Sequence, residues 1–143
     1  MEYTLRDHTA DVAVEATGAT LGEAFAAVAA GLTEAMCETY PSGGERFSLE
    51  ERAESREALL FDYLDRLIYE RDVRGVLPVD HDCTVSIDES TANGEDDEWV
   101  AAASARGVPL SEVTARDVKA VTYSEMTLEE RDGEWYAYVV FDV

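Results

Sequence analysis

Two segments of this chain repeat apolar residues at helical spacing, and they decide what the rest must do. Leu21, Ala24, Phe25, Val28, Leu32 and Met36 form the first stripe; Leu59, Leu60, Tyr63, Leu64, Leu67 and Ile68 form the second. A helix with one apolar stripe has to bury it against another element of the fold. Thr20 and Glu23 have the spacing of a capping box, opening a first helix that runs to about residue 37. Ser55 can cap the second helix, and Gly75 falls just past its end, where a left-handed residue closes a helix.

What is left to cover those stripes reads as strand. Glu2 to Arg6 is a short strand, and Val12, Val14 and Ala16 alternate in another that Gly18 ends. Pro41-Ser42-Gly43-Gly44 is turn chemistry, and Phe47, Leu49 and Glu51 alternate beyond it. Val79, His81, Cys83, Val85 and Ile87 form a further alternating run, with Trp99, Ala101, Ala103 and Ala105 as its partner. Asn93-Gly94, among acids, marks a solvated turn between them. Val118 to Tyr123 is a strand that continues in extended form from Met126 to Arg131; Asp132-Gly133 is a two-residue hairpin signal, and Trp135 to Asp142 pairs back across it. Helices early and strands late predict an α+β fold. The expectation is a single compact domain over residues 1–143, with two amphipathic helices packed on a mostly antiparallel sheet of six to seven strands.

No apolar run approaches the roughly 20 residues that span a bilayer, and no charged-then-apolar leader opens the sequence. The expected protein is soluble and cytoplasmic, with no membrane association. Its two cysteines, Cys37 and Cys83, make neither a disulfide framework nor a zinc motif, and read as buried free thiols. Acids number 32 against 11 basic residues, for a net charge of −21. No broad basic face can be assembled from these residues, so strong direct nucleic-acid binding is not expected.

Few residues have the spacing of known chemistry. Gly43-Gly44 lacks the lysine and following helix of a phosphate loop. No serine, histidine and acid stand in a nucleophilic pattern. Asp80-His81-Asp82 looks like a metal cluster, but alternation sends His81 away from both aspartates, and it reads as the start of a strand. The ends of the chain are different. Asp7-His8-Thr9-Ala10-Asp11-Val12 crowds two carboxylates and an imidazole at a strand joint, and Asp142-Val143 adds a carboxylate and a terminal α-carboxylate. Clustered oxygens of this kind bind hard cations such as calcium.

These two motifs, with Val118-Lys119-Ala120-Val121-Thr122-Tyr123 between them, resemble the archease family, accessory proteins of RtcB-type RNA ligases. The resemblance covers the chain in length and order. It implies that Asp11, Asp142 and Val143 hold a divalent cation, usually taken as calcium. Imidazole is a poor calcium ligand, which leaves His8 to orient the ligands or to touch a partner. Asp7 adds negative potential or a hydrogen bond nearby. Lys119 is the only lysine in the chain, and the resemblance implicates it in function. Tyr123 keeps its hydroxyl, but the histidine that usually follows it in the family is Ser124 here.

The activity implied is that of a non-enzymatic activator, promoting ligase guanylylation and multiple turnover in tRNA splicing. One rival is a small metal-dependent hydrolase built on Asp11 and Asp142, for which only His8 offers a base. Another is a general chaperone or binding module for RNA-processing proteins. Oligomeric state is not encoded in any of these patterns. The acid-rich, lysine-poor composition looks like that of proteins from salt-loving archaea. A compact domain at −21 repels itself in dilute buffer, whereas at ~1 M salt the Debye length falls to about 3 Å and screens most of that repulsion. Melting followed by circular dichroism should therefore show a transition temperature that drops as potassium chloride is lowered from molar to millimolar. Equal stability at the two concentrations would remove the high-salt reading.

Overall fold

The computed structural model describes residues 2–7, 11–88 and 98–143. In chain order these form β1 (Glu2–Asp7), β2 (Asp11–Gly18), α1 (Leu21–Met36), β3 (Glu45–Ala53), α2 (Arg56–Arg74), β4 (Val76–Asp88), β5 (Glu98–Pro109), a 3-10 turn (Leu110–Glu112), β6 (Ala120–Arg131) and β7 (Glu134–Asp142). The α+β class, the two helices and the seven strands match the expectation. The strands divide into two antiparallel sheets, ordered β1-β2-β7-β6 and β3-β5-β4. Both helices touch both sheets: α1 packs on β2 and β4, and α2 on β3 and β6.

Local chemistry starts and stops the helices where the residues say it should. At α1 the Glu23 N–H donates to Thr20 Oγ1 at 3.1 Å, and Glu23 Oε2 accepts from the Ala19 N–H at 2.9 Å. The box therefore closes one residue further back than a strict capping box, which returns to the cap itself. At α2 the Ala58 N–H donates to Ser55 Oγ at 3.1 Å, and Gly75 ends the helix in the left-handed region at φ 64°. Asp132 and Gly133 take φ 52° and 82°, the paired positive values that a tight hairpin turn demands.

The two helices differ in burial. α2 buries one stripe, the predicted one, and leaves Asp65, Tyr69, Asp72 and Val73 in solvent. α1 is buried on nearly every side, because a sheet covers each face. Between its large stripe residues stand Gly22, Ala26, Ala27, Ala29, Gly31 and Ala35, all buried. A β-carbon added to Gly22 would run into the carbonyl of Cys83, and one on Gly31 would lie 2.5 Å from Val14 Cγ1. Small residues here set the distance between helix and sheets.

Several boundaries move. β4 begins at Val76 rather than Val79 and carries a bulge between Val79 and Asp82, with Asp80 at φ 51°. Asp80-His81-Asp82 therefore lies inside a strand and not at its start. β6 begins at Ala120, after Val118 and Lys119, and is interrupted between Thr122 and Thr127, with Glu125 at φ 56°. The Asn93-Gly94 turn lies outside the described residues; Asp88 and Glu98, on either side of it, are paired. Cys37 and Cys83 are buried free thiols, as expected. No helix among the described residues is long and apolar enough to cross a membrane.

The close approach of α1 to β4 makes a sharp prediction. Gly→Ala in an exposed helix stabilises by about 1 kcal/mol. Gly22→Ala should do the reverse and destabilise by about 1–3 kcal/mol, because the obstacle is backbone and cannot rotate away. Urea denaturation of the variant at molar salt measures the sign directly.

Candidate metal centre at the sheet end

The antiparallel register of β2 and β7 places Asp11 opposite Asp142. Residues directly opposite one another project from the same face of a sheet, with β-carbons about 4.5–5.5 Å apart. The neighbouring pair, Val12 and Phe141, faces the core and is almost fully buried, so the two aspartates project from the other face. Two like charges so placed repel unless something stands between them. Asp11 Oδ1 sharpens the point: it is buried and has no hydrogen-bond partner. A buried carboxylate oxygen left so in a native structure calls for an explanation, and a bound cation would be one.

β6 completes the same end. Ala120 is the other neighbour of Asp142, and the Lys119 N–H donates to the Asp142 carbonyl at 2.9 Å. The lysine segment is tethered from below by Arg71, a buried arginine in line with the apolar stripe of α2. Its Nη1 donates to the Val118 carbonyl at 2.8 Å, and its Nη2 lies 3.3 Å from Asp117. Lys119 itself is exposed. Among the described residues the ion pairs are made by arginine, and none engages the Lys119 ammonium. Val143 continues β7 and packs its side chain against the core, which holds the chain beside Asp142 in place.

Of the residues singled out in the sequence, Asp11, Asp142, Val143 and Lys119 thus meet at one end of one sheet. Asp7 is the last residue of β1, paired with Val12 next to Asp11. His8 lies outside the described residues. Tyr123 is not at this end. It stands about 10 Å along β6 from Ala120, 55% exposed, in the interrupted stretch, with its ring stacked on Phe61 of α2 at 4.3 Å and 9°. The sequence reading missed two residues that matter here. Arg71 was visible as a cation in line with an apolar stripe, whereas nothing local marked Phe61 as a platform for Tyr123.

The donors fit a hard divalent cation. Two carboxylates and the oxygens of Val143 are of the type calcium takes, with backbone carbonyls and water to complete six to eight ligands. Among the described residues no three His, Cys, Asp or Glu side chains converge on a point.

The Archease protein family (MTH1598/TM1083) model matches residues 3–143. Protein archease of Thermococcus kodakarensis is 38% identical, with 96% of this chain and 95% of that one covered. Protein archease of Archaeoglobus fulgidus is 31% identical with both chains covered completely. The solution structure of Methanobacterium thermoautotrophicum protein 1598 superposes with a TM-score of 0.78 at 29% identity, covering 99% of this chain and 98% of that one. The crystal structure of an archease from Thermotoga maritima, termed a possible chaperone, shares the fold with a TM-score of 0.61 at 20% identity, covering 96% of this chain and 94% of that one. Matched from end to end in sequence and superposed along its length, the chain belongs to the archease family.

Proposed function

We propose that this protein is a non-enzymatic activator of an RtcB-type RNA ligase, working in the cytoplasm to promote ligase guanylylation and repeated turnover during tRNA splicing. The observation that carries the reading is the sheet end itself: a buried carboxylate oxygen of Asp11 without a hydrogen-bond partner, in a residue paired across the sheet with Asp142, at the same end as Lys119, whose ammonium joins no ion pair among the described residues. Family membership is what suggests the partner, and this geometry supports what would be offered to it. When bound, calcium or another divalent cation contributes positive charge and oxygen coordination at that end. Asp11, Asp142 and Val143 hold the ion, Lys119 presents a second, exposed charge at the same sheet end, and Asp7 and His8 orient the ligands or touch the partner.

Such an arrangement suits a polyphosphate-handling partner better than independent catalysis. A hydrolase needs a general base near the ion. Of the two histidines, His81 belongs to the other sheet and is hydrogen-bonded to Thr33, which leaves His8 alone for that role. Charge argues in the same direction for RNA: at −21, contact with the ligase itself is favoured over contact with nucleic acid. Tyr123 and the exposed face of α2 offer apolar surface away from the ion, which is the feature favouring a broader binding role.

Calorimetric titration with calcium tests the metal. Wild type should bind one ion and gain about 2.7 kcal/mol of stability at a hundredfold excess over Kd. Asp11→Asn should bind none and show no such gain, while its ion-free form is more stable than wild type because the cross-strand repulsion is gone. Unchanged calcium binding in Asp11→Asn would remove the assignment.

Guanylylation of the cognate ligase at high salt tests the lysine. Lys119→Ala should keep the fold and the calcium but slow activation. Lys119→Arg should restore it in part, because a planar fork does not replace a compact point charge. Three equal rates would reduce Lys119 to a solubilising residue, and activation by Asp11→Asn at the wild-type rate would favour the general binding module.

A further inference from the structure

A second concave site lies on another part of the molecule. It is a cavity of about 270 Å³ between α1, β1 and the bulge of β4, bounded by Tyr3, Thr33, Glu34, Tyr40, Asp80 and His81. Tyr3 pairs with Ala16, roughly 17 Å along β2 from Asp11, so this cavity is distinct from the sheet end.

Its wall is built by the bulge. Asp80 is held in the left-handed region by two arginines: Arg106 Nε donates to its carboxylate at 2.7 Å, and Arg46 Nη2 donates to its carbonyl at 2.6 Å. Strained backbone of this kind persists where the surroundings enforce it and clusters at functional sites. The bulge turns His81 toward α1, where its Nε2 lies 2.7 Å from Thr33 Oγ1. Thr33 has one hydroxyl proton, and two carbonyls compete for it, that of Pro78 at 2.7 Å and that of Ala29 at 3.1 Å. With that proton on a carbonyl, Nε2 is the donor to Thr33, which leaves Nδ1 as a bare acceptor. Nδ1 is buried and has no partner. Burial holds the imidazole at a pKa of about 4, against the opposing pulls of the Pro78 carbonyl and Asp80, so it stays neutral near pH 7.

The other polar groups around the cavity are also acceptors. Glu34 and Glu38 supply carboxylates, and the Tyr3 hydroxyl is hydrogen-bonded to Glu34. Tyr40 supplies an aromatic face that already accepts a guanidinium, since Arg106 stands 6.0 Å from its ring. Anions are repelled here, and no three metal-ligating side chains converge among the described residues. What remains is a positively charged group with N–H donors and an apolar body, the kind that aromatic rings and carboxylates hold together. We propose that this cavity is a binding site for an organic cation, a guanidinium or primary alkylammonium, seated on Tyr40 and the His81 imidazole with its charge against Glu34 and Glu38. The group could arrive on a free amine or on a basic side chain of a partner protein; the recognition chemistry is the same.

The test uses the full chain in molar potassium chloride, where non-specific attraction to an acidic surface is screened. Putrescine, agmatine and a capped Ala-Arg-Ala peptide are titrated, with tetramethylammonium as a cation lacking N–H donors. Affinity is read by calorimetry and the seat by the 15N resonance of His81 Nδ1, which moves when that nitrogen accepts a hydrogen bond. At least one N–H cation should bind and shift Nδ1, and tetramethylammonium should not. Binding of the amines marks a small-molecule site, and binding of the peptide alone marks a partner's side chain. Glu34→Gln should weaken that binding by about tenfold or more while calcium binding is unchanged. Glu130→Gln, the same charge change elsewhere, should leave it alone. No saturable binding by any N–H cation, no shift at Nδ1, or equal losses in Glu34→Gln and Glu130→Gln would each overturn the proposal.

Discussion

The structure depends on a helix thin enough to lie between two sheets. α1 touches β2 on one side and β4 on the other, and it can do so because glycines and alanines fill the positions between its large residues. Phe25 and Leu32 supply most of the volume; Gly22 and Gly31 supply the closeness. Interiors pack at the density of organic crystals, so one methyl group at such a contact is felt across it. Spacing of the two sheets follows from this helix. The position of β4 and its bulge against α1, which forms the His81 cavity, follows as well.

The sheet-end site rests on register instead. Asp11 meets Asp142 only in the pairing that also joins Val12 to Phe141 and Val14 to Val139. A slip of one residue would turn those apolar side chains into solvent. The core therefore enforces the confrontation of two carboxylates that would separate if free to do so. Apolar burial over the length of β2 is worth far more than one like-charge pair costs. In this way hydrophobic packing holds a local electrostatic conflict in place.

Arginine serves as the joinery of an acidic protein. Glu70, buried, is held by Arg66 at 2.9 Å and Arg74 at 2.5 Å, which keep its carboxyl below the usual range despite burial. Arg46 and Arg106 fix the bulge, and Arg71 fixes the segment before Lys119. Arg56, at the first turn of α2 where a cation gains nothing from the helix dipole, lies 5.6 Å from the Trp99 ring and 5.0 Å from that of Trp135, and so links the two sheets. A delocalised fork with five donors suits these shared roles, and a compact ammonium does not. The lone lysine is the cation left exposed at a site.

The helices, both caps, the hairpin at Asp132-Gly133 and the alternation of most strands were legible in the sequence because each depends on residues a few positions apart. The terminal motifs were legible as well, as a resemblance. Other features needed the fold. That α1 is covered on both sides could not be read from its stripe, since buried alanines look like neutral helix formers. His81 does face away from Asp80 and Asp82, as the alternation implied, but the bulge at Asp80 that sets it against Thr33 was not legible, because its cause lies in Arg46 and Arg106, 34 and 26 residues away. Tyr123, adjacent to the lysine motif in sequence, stands apart from the sheet end because β6 is interrupted after Thr122 and Phe61 captures the ring. Local periodicity determined which elements this chain forms. Only tertiary pairing decided which side chains meet, because that choice is made by the burial of whole faces at once.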